Sequence, residues 1–237
     1  MDDKGCMREA LALADKGRGM VAPNPLVGCV IVRDGGIVGR GYHRRYGAAH
    51  AEAAAIRDAG SAARGATMYV TLQPCNHYGH TPPCTNAILK AGIRRLVYAA
   101  DDCNPKSNCS DGLARLRAGG IEVEGGIGRA EALRQNEVYF MNRKHQRPFV
   151  ALKLAATLDA KIADFQGRSQ WITSEEARAQ VHRLRGEYAA ILVGERTVQT
   201  DDPRLTGRTP GRRNPIRVIL DARRTRRPCR SRRRSRR

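Results

Sequence analysis

The stretch Thr71-Leu72-Gln73-Pro74-Cys75-Asn76-His77-Tyr78-Gly79-His80-Thr81-Pro82-Pro83-Cys84, taken with His50-Ala51-Glu52 upstream, decides how the first part of this chain folds. One imidazole and two thiolates suit a tetrahedral zinc, and three protein ligands leave its fourth corner open. His50, Cys75 and Cys84 are therefore the candidate metal ligands. Glu52, two residues after His50, can handle the protons of a water in that corner without being a ligand itself.

Working outward, Met68 to Leu72 reads as a strand that Pro74 stops, and Thr85 to Ala91 as a helix closed by Gly92. His50 to Ala59 is alanine-rich and helical in propensity. The half-motifs thus fall at a helix start and at a strand-to-helix junction, where the positive end of a helix dipole favours thiolate over thiol. Residues 6–18 predict a helix, and 27–32 with 37–39 predict a hairpin about Asp34-Gly35-Gly36. Ile93 to Ala99 and Ile121 to Val123 predict strands, with a helix over Gly112 to Ala118 between them. Strands alternating with helices give an α/β class with a layered sheet.

His-x-Glu followed by Pro-Cys and a second cysteine resembles the pattern of zinc-dependent nucleobase deaminases. That pattern carries two residues between its cysteines, whereas this chain carries eight. With Pro23-Asn24-Pro25-Leu26-Val27-Gly28-Cys29 and Gly41-Tyr42-His43, the chain closely resembles the bifunctional deaminase/reductase family of riboflavin biosynthesis. The resemblance implies a cytidine-deaminase-like three-layer domain at residues 1–145. At 146–221 it implies the incomplete front half of a dihydrofolate-reductase-like α/β domain.

The implied reaction is hydrolytic deamination of 2,5-diamino-6-ribosylamino-4(3H)-pyrimidinone 5′-phosphate, with Zn2+ as cofactor and Glu52 as the catalytic acid–base. Zinc lowers the pKa of a bound water toward about 7 and so supplies the nucleophile. Asn24, His43, His77 and His80 fall at positions that contact substrate. Position 80 is usually Lys or Arg, and a largely neutral imidazole there implies weaker phosphate affinity unless Arg44 or Arg45 compensates. Asp102-Cys103-Asn104-Pro105 departs from the family pattern as well, because Cys103 replaces a proline and Lys106 to Ser110 lacks the expected glycine.

Beyond Arg147-Pro148, strands are predicted at Phe149 to Leu154, from Asp159 to Ala163, and at Ala190 to Val193 and Ile216 to Leu220, the last two buried. Ser174-Glu175-Glu176 opens a helix to about Arg185. By resemblance, Ala155, Trp171, Thr197 and Asp201 contact NADPH, while Ser169, Arg185, Leu205 and Arg208 contact substrate. Taken singly, Trp171 reads equally as a core aromatic and Arg185 as a solvated helix face. The family's reductase continues well past Asp221, so the reductase step is expected to be impaired by truncation.

The net charge is +20, and half of it is the ten arginines of residues 222–237, a stretch with no acid. A like-charged block of this kind is expected to be a disordered tail that binds polyanions weakly and with strong salt dependence. Seven cysteines in irregular spacing, Cys6, Cys29, Cys75, Cys84, Cys103, Cys109 and Cys229, favour metal ligation and free thiols over a disulfide framework. Cys29 reads as a core residue. No 18-residue apolar run and no secretory signal are evident, so a cytoplasmic enzyme is expected, with a small phosphorylated pyrimidine as partner and neither membrane nor specific nucleic acid. Homo-oligomerisation is left open. The competing readings are a tRNA or free-nucleobase zinc deaminase, and a non-enzymatic basic protein whose structural zinc takes a fourth ligand from His77, His80 or His43.

Overall fold

A computed structural model describes residues 1–208, 210, 211 and 213–221, so the arginine-rich tail and Cys229 lie outside the described residues. The chain divides into two units, Met1–Val150 and one beginning at Ala151.

The first unit is built on a five-stranded sheet in the order β2-β1-β3-β4-β5. β1 (Gly28–Arg33) runs antiparallel to both β2 (Gly36–Tyr42) and β3 (Thr67–Leu72). β3, β4 (Arg95–Ala100) and β5 (Glu122–Gly125) are mutually parallel. β3 is central and buried along nearly all its length because both of its faces are covered. One face carries α2 (Ala51–Ala59), α3 (Cys84–Ala91) and α4 (Cys109–Ala118), whose Ala55, Ile88 and Leu116 join Ile31, Met68 and Leu96 in one core. The other carries α1 (Asp3–Asp15), α5 (Arg129–Gln135) and α6 (Glu137–His145), whose Met7, Ala132 and Phe140 meet Val30, Tyr69 and Val97. These are the three layers expected, although α5 and α6 escaped the sequence reading. Cys29 is fully buried, as expected of a core residue.

Local chemistry sets the edges that matter for the site. Asp2 caps α1 by accepting from the Gly5 amide at 2.9 Å. α2 presents Ala51, Ala55 and Ala59 to β2, and the strand answers with glycines. A Cβ at Gly41 would lie 2.2 Å from the Ala51 carbonyl oxygen, and one at Gly39 would lie 2.5 Å from that of Ala55. Helix and strand backbones therefore touch. The loop after β4, which lacks the expected glycine, places Asn108 at φ 47° and ψ 42°. Asparagine is among the few non-glycine residues that enter this left-handed region readily.

In the second unit α7 (Glu175–Arg185) starts where the sequence predicted, with Ser174 accepting from the Ala177 amide at 3.3 Å. β6 (Ala190–Gly194) and β7 (Ile216–Leu220) pair in parallel, and α8 (Glu195–Asp201) follows β6 directly. The expectation that both strands are buried is wrong, since Leu192 and Ile216 are 56% and 69% exposed. The strands predicted at 149–154 and 159–163 do not form. Val150 and Leu152 stand 84% and 82% exposed, and Thr157 to Lys161 is a turn closed by the Thr157 amide on the Lys161 carbonyl. An apolar run becomes a strand only when another strand pairs with it, and no described strand does. Val198, Leu205 and Pro215 are the buried apolar side chains among this unit's described residues.

Candidate active site

α2 and α3 begin side by side at one end of the sheet. His50 is the residue before α2, Cys84 opens α3, and Cys75 lies in the loop between β3 and α3. The three ligand atoms lie within 4.8 Å of one another, with His50 Nδ1 3.2 Å from Cys84 Sγ and 3.5 Å from Cys75 Sγ. Nitrogen and sulfur on one tetrahedral zinc stand about 3.6 Å apart. Both cysteines are free thiols.

The electrostatics fit the same ion. Cys75 is held down to about 4, chiefly by the hydrogen bond that Cys84 donates to it and then by His50. The Cys84 thiol is pushed well above its ordinary value because it donates to Cys75 and because it is buried. His50 is raised to about 8 by its bond to Cys75. Protons thus hold together three donors that a cation would hold in their place, which is the fit expected of a metal site that releases protons on loading.

Among the described residues no fourth His, Cys, Asp or Glu joins the group. The residues named as candidate fourth ligands are engaged elsewhere or stand outside it. His43 Nδ1 donates to the Ala49 carbonyl at 3.1 Å, and its Nε2 accepts from Asn24 Nδ2 at 3.1 Å. His80 Nε2 meets the Tyr46 hydroxyl at 3.2 Å. His77 is half-buried, with Nδ1 buried and unbonded among the described residues.

A cavity of about 190 Å3 opens beside His50 and Cys75, and Asn24, His43, Glu52, His77 and His80 all line it. Glu52, in the first turn of α2, is 3% exposed, and burial raises its carboxyl above the usual carboxylate range. A carboxyl so placed is suited to take up a proton and give it back. His43 is shifted the other way, since burial lowers it and keeps the ring neutral. Arg44 stacks on Tyr42 at 5.5 Å, and neither Arg44 nor Arg45 lines the cavity.

The structure adds groups that sequence reasoning missed. Thr81 Oγ1 lies 3.4 Å from His50 Nε2, where it fixes the ring once Nδ1 is given to a cation. Asp102 accepts from Ser107 Oγ at 2.5 Å, Tyr139 Oη at 2.7 Å and the Asn104 amide at 3.0 Å, building one wall of the cavity. Arg143 completes that wall. The departure at Asp102-Cys103-Asn104-Pro105 marked the loop as worth attention. Nothing in the sequence near Tyr139 or Arg143 did the same.

The residues placed on NADPH and its partner substrate lie in the second unit, in surroundings that range from exposed to buried. Ala155 and Trp171 sit on irregular chain, with Trp171 68% exposed beneath the Arg178 guanidinium at 4.5 Å. Thr197 and Asp201 are exposed on α8. Ser169 is half-buried and Leu205 buried. Arg185 is lowered by burial and then by the charge of Arg208, and its Nε is buried without a hydrogen bond. As placed, these side chains do not enclose a dinucleotide.

Fold and site together define a protein with the zinc-binding region of the cytidine and deoxycytidylate deaminases, whose family model matches residues 1–100. A second model, that of the RibD C-terminal domain, matches residues 148–234. Over nine tenths of its length the chain is similar to the RibD proteins of riboflavin biosynthesis. It is 50% identical over 220 residues to riboflavin biosynthesis protein RibD of Aquifex aeolicus, covering 92% of this chain and 62% of that protein. It is 45% identical over 235 residues to RibD of Escherichia coli, covering 94% and 64% respectively. The solved diaminohydroxyphosphoribosylaminopyrimidine deaminase/5-amino-6-(5-phosphoribosylamino)uracil reductase of Thermotoga maritima superposes with a TM-score of 0.86 at 47% identity, covering 92% of this chain and 62% of that one. RibD of Acinetobacter baumannii gives a TM-score of 0.88 at 42% identity, with coverages of 95% and 65%. The chain thus spans about three fifths of the length of the relatives it matches.

Proposed function

We propose that the chain hydrolyses the 2-amino group from 2,5-diamino-6-ribosylamino-4(3H)-pyrimidinone 5′-phosphate and releases ammonia. The observation that carries this reading is the convergence of His50, Cys75 and Cys84, with His50, Cys75 and the buried Glu52 lining one cavity. Zinc held by the three donors supplies a Lewis acid that makes water nucleophilic at neutral pH. The remaining work belongs to the protein. Glu52 accepts the proton of the attacking water, passes it to the ring nitrogen beside the reacting carbon, and supports departure of the amine as ammonia. Asn24 is oriented by His43, whose ring is in turn held by the Ala49 carbonyl, so the amide is positioned before substrate arrives. Thr81 keeps His50 facing the sulfurs.

The expected outcome for Glu52→Gln is loss of ammonia release by at least about 100-fold, the scale of a general acid–base, with zinc content unchanged by metal analysis. Equal turnover by the variant, or loss of zinc along with activity, refutes the assignment. The reductase activity named for the Thermotoga maritima relative is not extended to this chain, because Trp171, Thr197, Asp201 and Arg208 stand exposed. A reducing, cytoplasmic setting fits the free cysteines of the described residues.

A further inference from the structure

A phosphorylated substrate needs a cation, and the position that usually supplies it holds His80, tied to Tyr46. Among the described residues lining the cavity, Arg143 is the sole lysine or arginine. It lies in the last turn of α6, one turn after Tyr139, and its guanidinium rests over the Tyr139 ring at 5.5 Å. That ring is itself pinned, because Tyr139 Oη donates to Asp102. Arg143 Nε is buried and makes no hydrogen bond, and no ion pair engages the residue among the described residues. The carboxylate of Asp102 on the same wall is covered by Tyr139, Ser107 and Asn104. A helix C-terminus welcomes any cation, and Lys144 and His145 in the same turn serve that purpose from the surface. Arg143 differs in lining the cavity.

We infer that Arg143 is the residue of this cavity that binds the substrate's 5′-phosphate, taking over the role left open at position 80. The inference rests on the deaminase reading for its substrate, but the anion site itself does not depend on turnover. Guanidinium suits the task because it stays charged and offers several donors in one plane to phosphate oxygens. Support by the aromatic ring holds it in place before the ligand arrives.

The test compares two ligands, the diaminopyrimidine ribosylamine 5′-phosphate and its dephosphorylated riboside. Equilibrium binding is measured to the full zinc-loaded chain carrying Glu52→Gln, which does not turn over. The phosphorylated ligand is expected to bind at least about tenfold more tightly, the scale of one charge-assisted contact. Adding Arg143→Met brings that ratio to about one and leaves riboside affinity unchanged. Arg143→Lys keeps part of the preference, and His80→Ala leaves it intact. In the active chain, Arg143→Met raises KM for the phosphorylated substrate by the same factor with kcat within about twofold. Should Arg143→Met fail to fold, Arg143→Gln reads the same ratio.

The inference is overturned if the parent shows no preference, if the preference survives at Arg143→Met, if both ligands weaken together, or if His80→Ala abolishes it. A chain that releases no ammonia yet shows the Arg143-dependent ratio refutes the deaminase reading and keeps the anion site. Ammonia release with a ratio indifferent to Arg143 does the reverse.

Discussion

Asn136 shows how one side chain far from the chemistry in sequence holds the site together. Its Oδ1 accepts from the Leu26 amide at 2.7 Å, and its Nδ2 donates to the Leu26 carbonyl at 2.8 Å. Leu26 follows the Pro-Asn-Pro segment that carries Asn24, so one buried amide ties this cavity-lining loop to the junction of α5 and α6. Asn136→Ala strands two buried backbone groups, each costing about 1–3 kcal/mol when unpaired. The expected destabilisation is about 2–3 kcal/mol by denaturant titration, with KM rising more than kcat falls because Asn24 is no longer held. A change under about 0.5 kcal/mol, the usual size for a surface substitution, shows that the tie is dispensable. The ligands His50, Cys75 and Cys84 were legible from residue type and spacing. Asn136 was not, because an asparagine between two short helices carries no mark of its partner 110 residues away.

At the scale of elements, the position of α2 decides where His50 and Glu52 stand, and β2 decides the position of α2. The Gly39-Arg40-Gly41 sequence lets the alanine face of α2 rest on the strand backbone. Gly41→Ala would drive a methyl against the Ala51 carbonyl, one residue from each functional side chain. Backbone cannot rotate aside as a side chain can, so the cost should fall at the upper end of overpacking, about 3 kcal/mol. Zinc content is expected to fall with stability. Gly36→Ala, whose added carbon comes no nearer than 3.8 Å to the Arg33 carbonyl, should leave both unchanged. If Gly41→Ala binds zinc normally and melts where the parent does, the helix is not seated as described. Helix and strand alternation in the first unit was readable because apolar runs, Pro74 and Gly92 punctuate it. α5 was missed because its few apolar residues are interleaved with charge, and α6 because Val138 to Met141 form one contiguous run without helical spacing.

For the whole molecule, each unit has its own balance of burial. The first has two cores flanking its sheet and a site that joins α2 to the β3–α3 loop. The second buries little among its described residues. A ligand that binds only the folded state adds about 2.7 kcal/mol at a hundredfold excess over its Kd. Zinc chelation should therefore lower the stability of the first unit alone. Hydrogen exchange read by mass spectrometry is expected to show lost protection in α2, α3 and β3, with α7 and β6 unchanged. Uniform loss across both units, or none anywhere, contradicts a metal site confined to the first. The apolar runs after Phe149 misled the sequence reading at this scale, because a run announces that a strand can form but not whether a neighbour exists to pair with it.

The order of residues alone determined the donor set, the acid beside it and the layered α/β class, since each depends on residue chemistry and on periodicities within a few residues. Tertiary structure alone decided that Asp102, Tyr139 and Arg143 wall the cavity and that the later strands stand exposed. Such contacts arise where cores bring distant segments within a few ångströms, and a linear pattern carries no record of that approach.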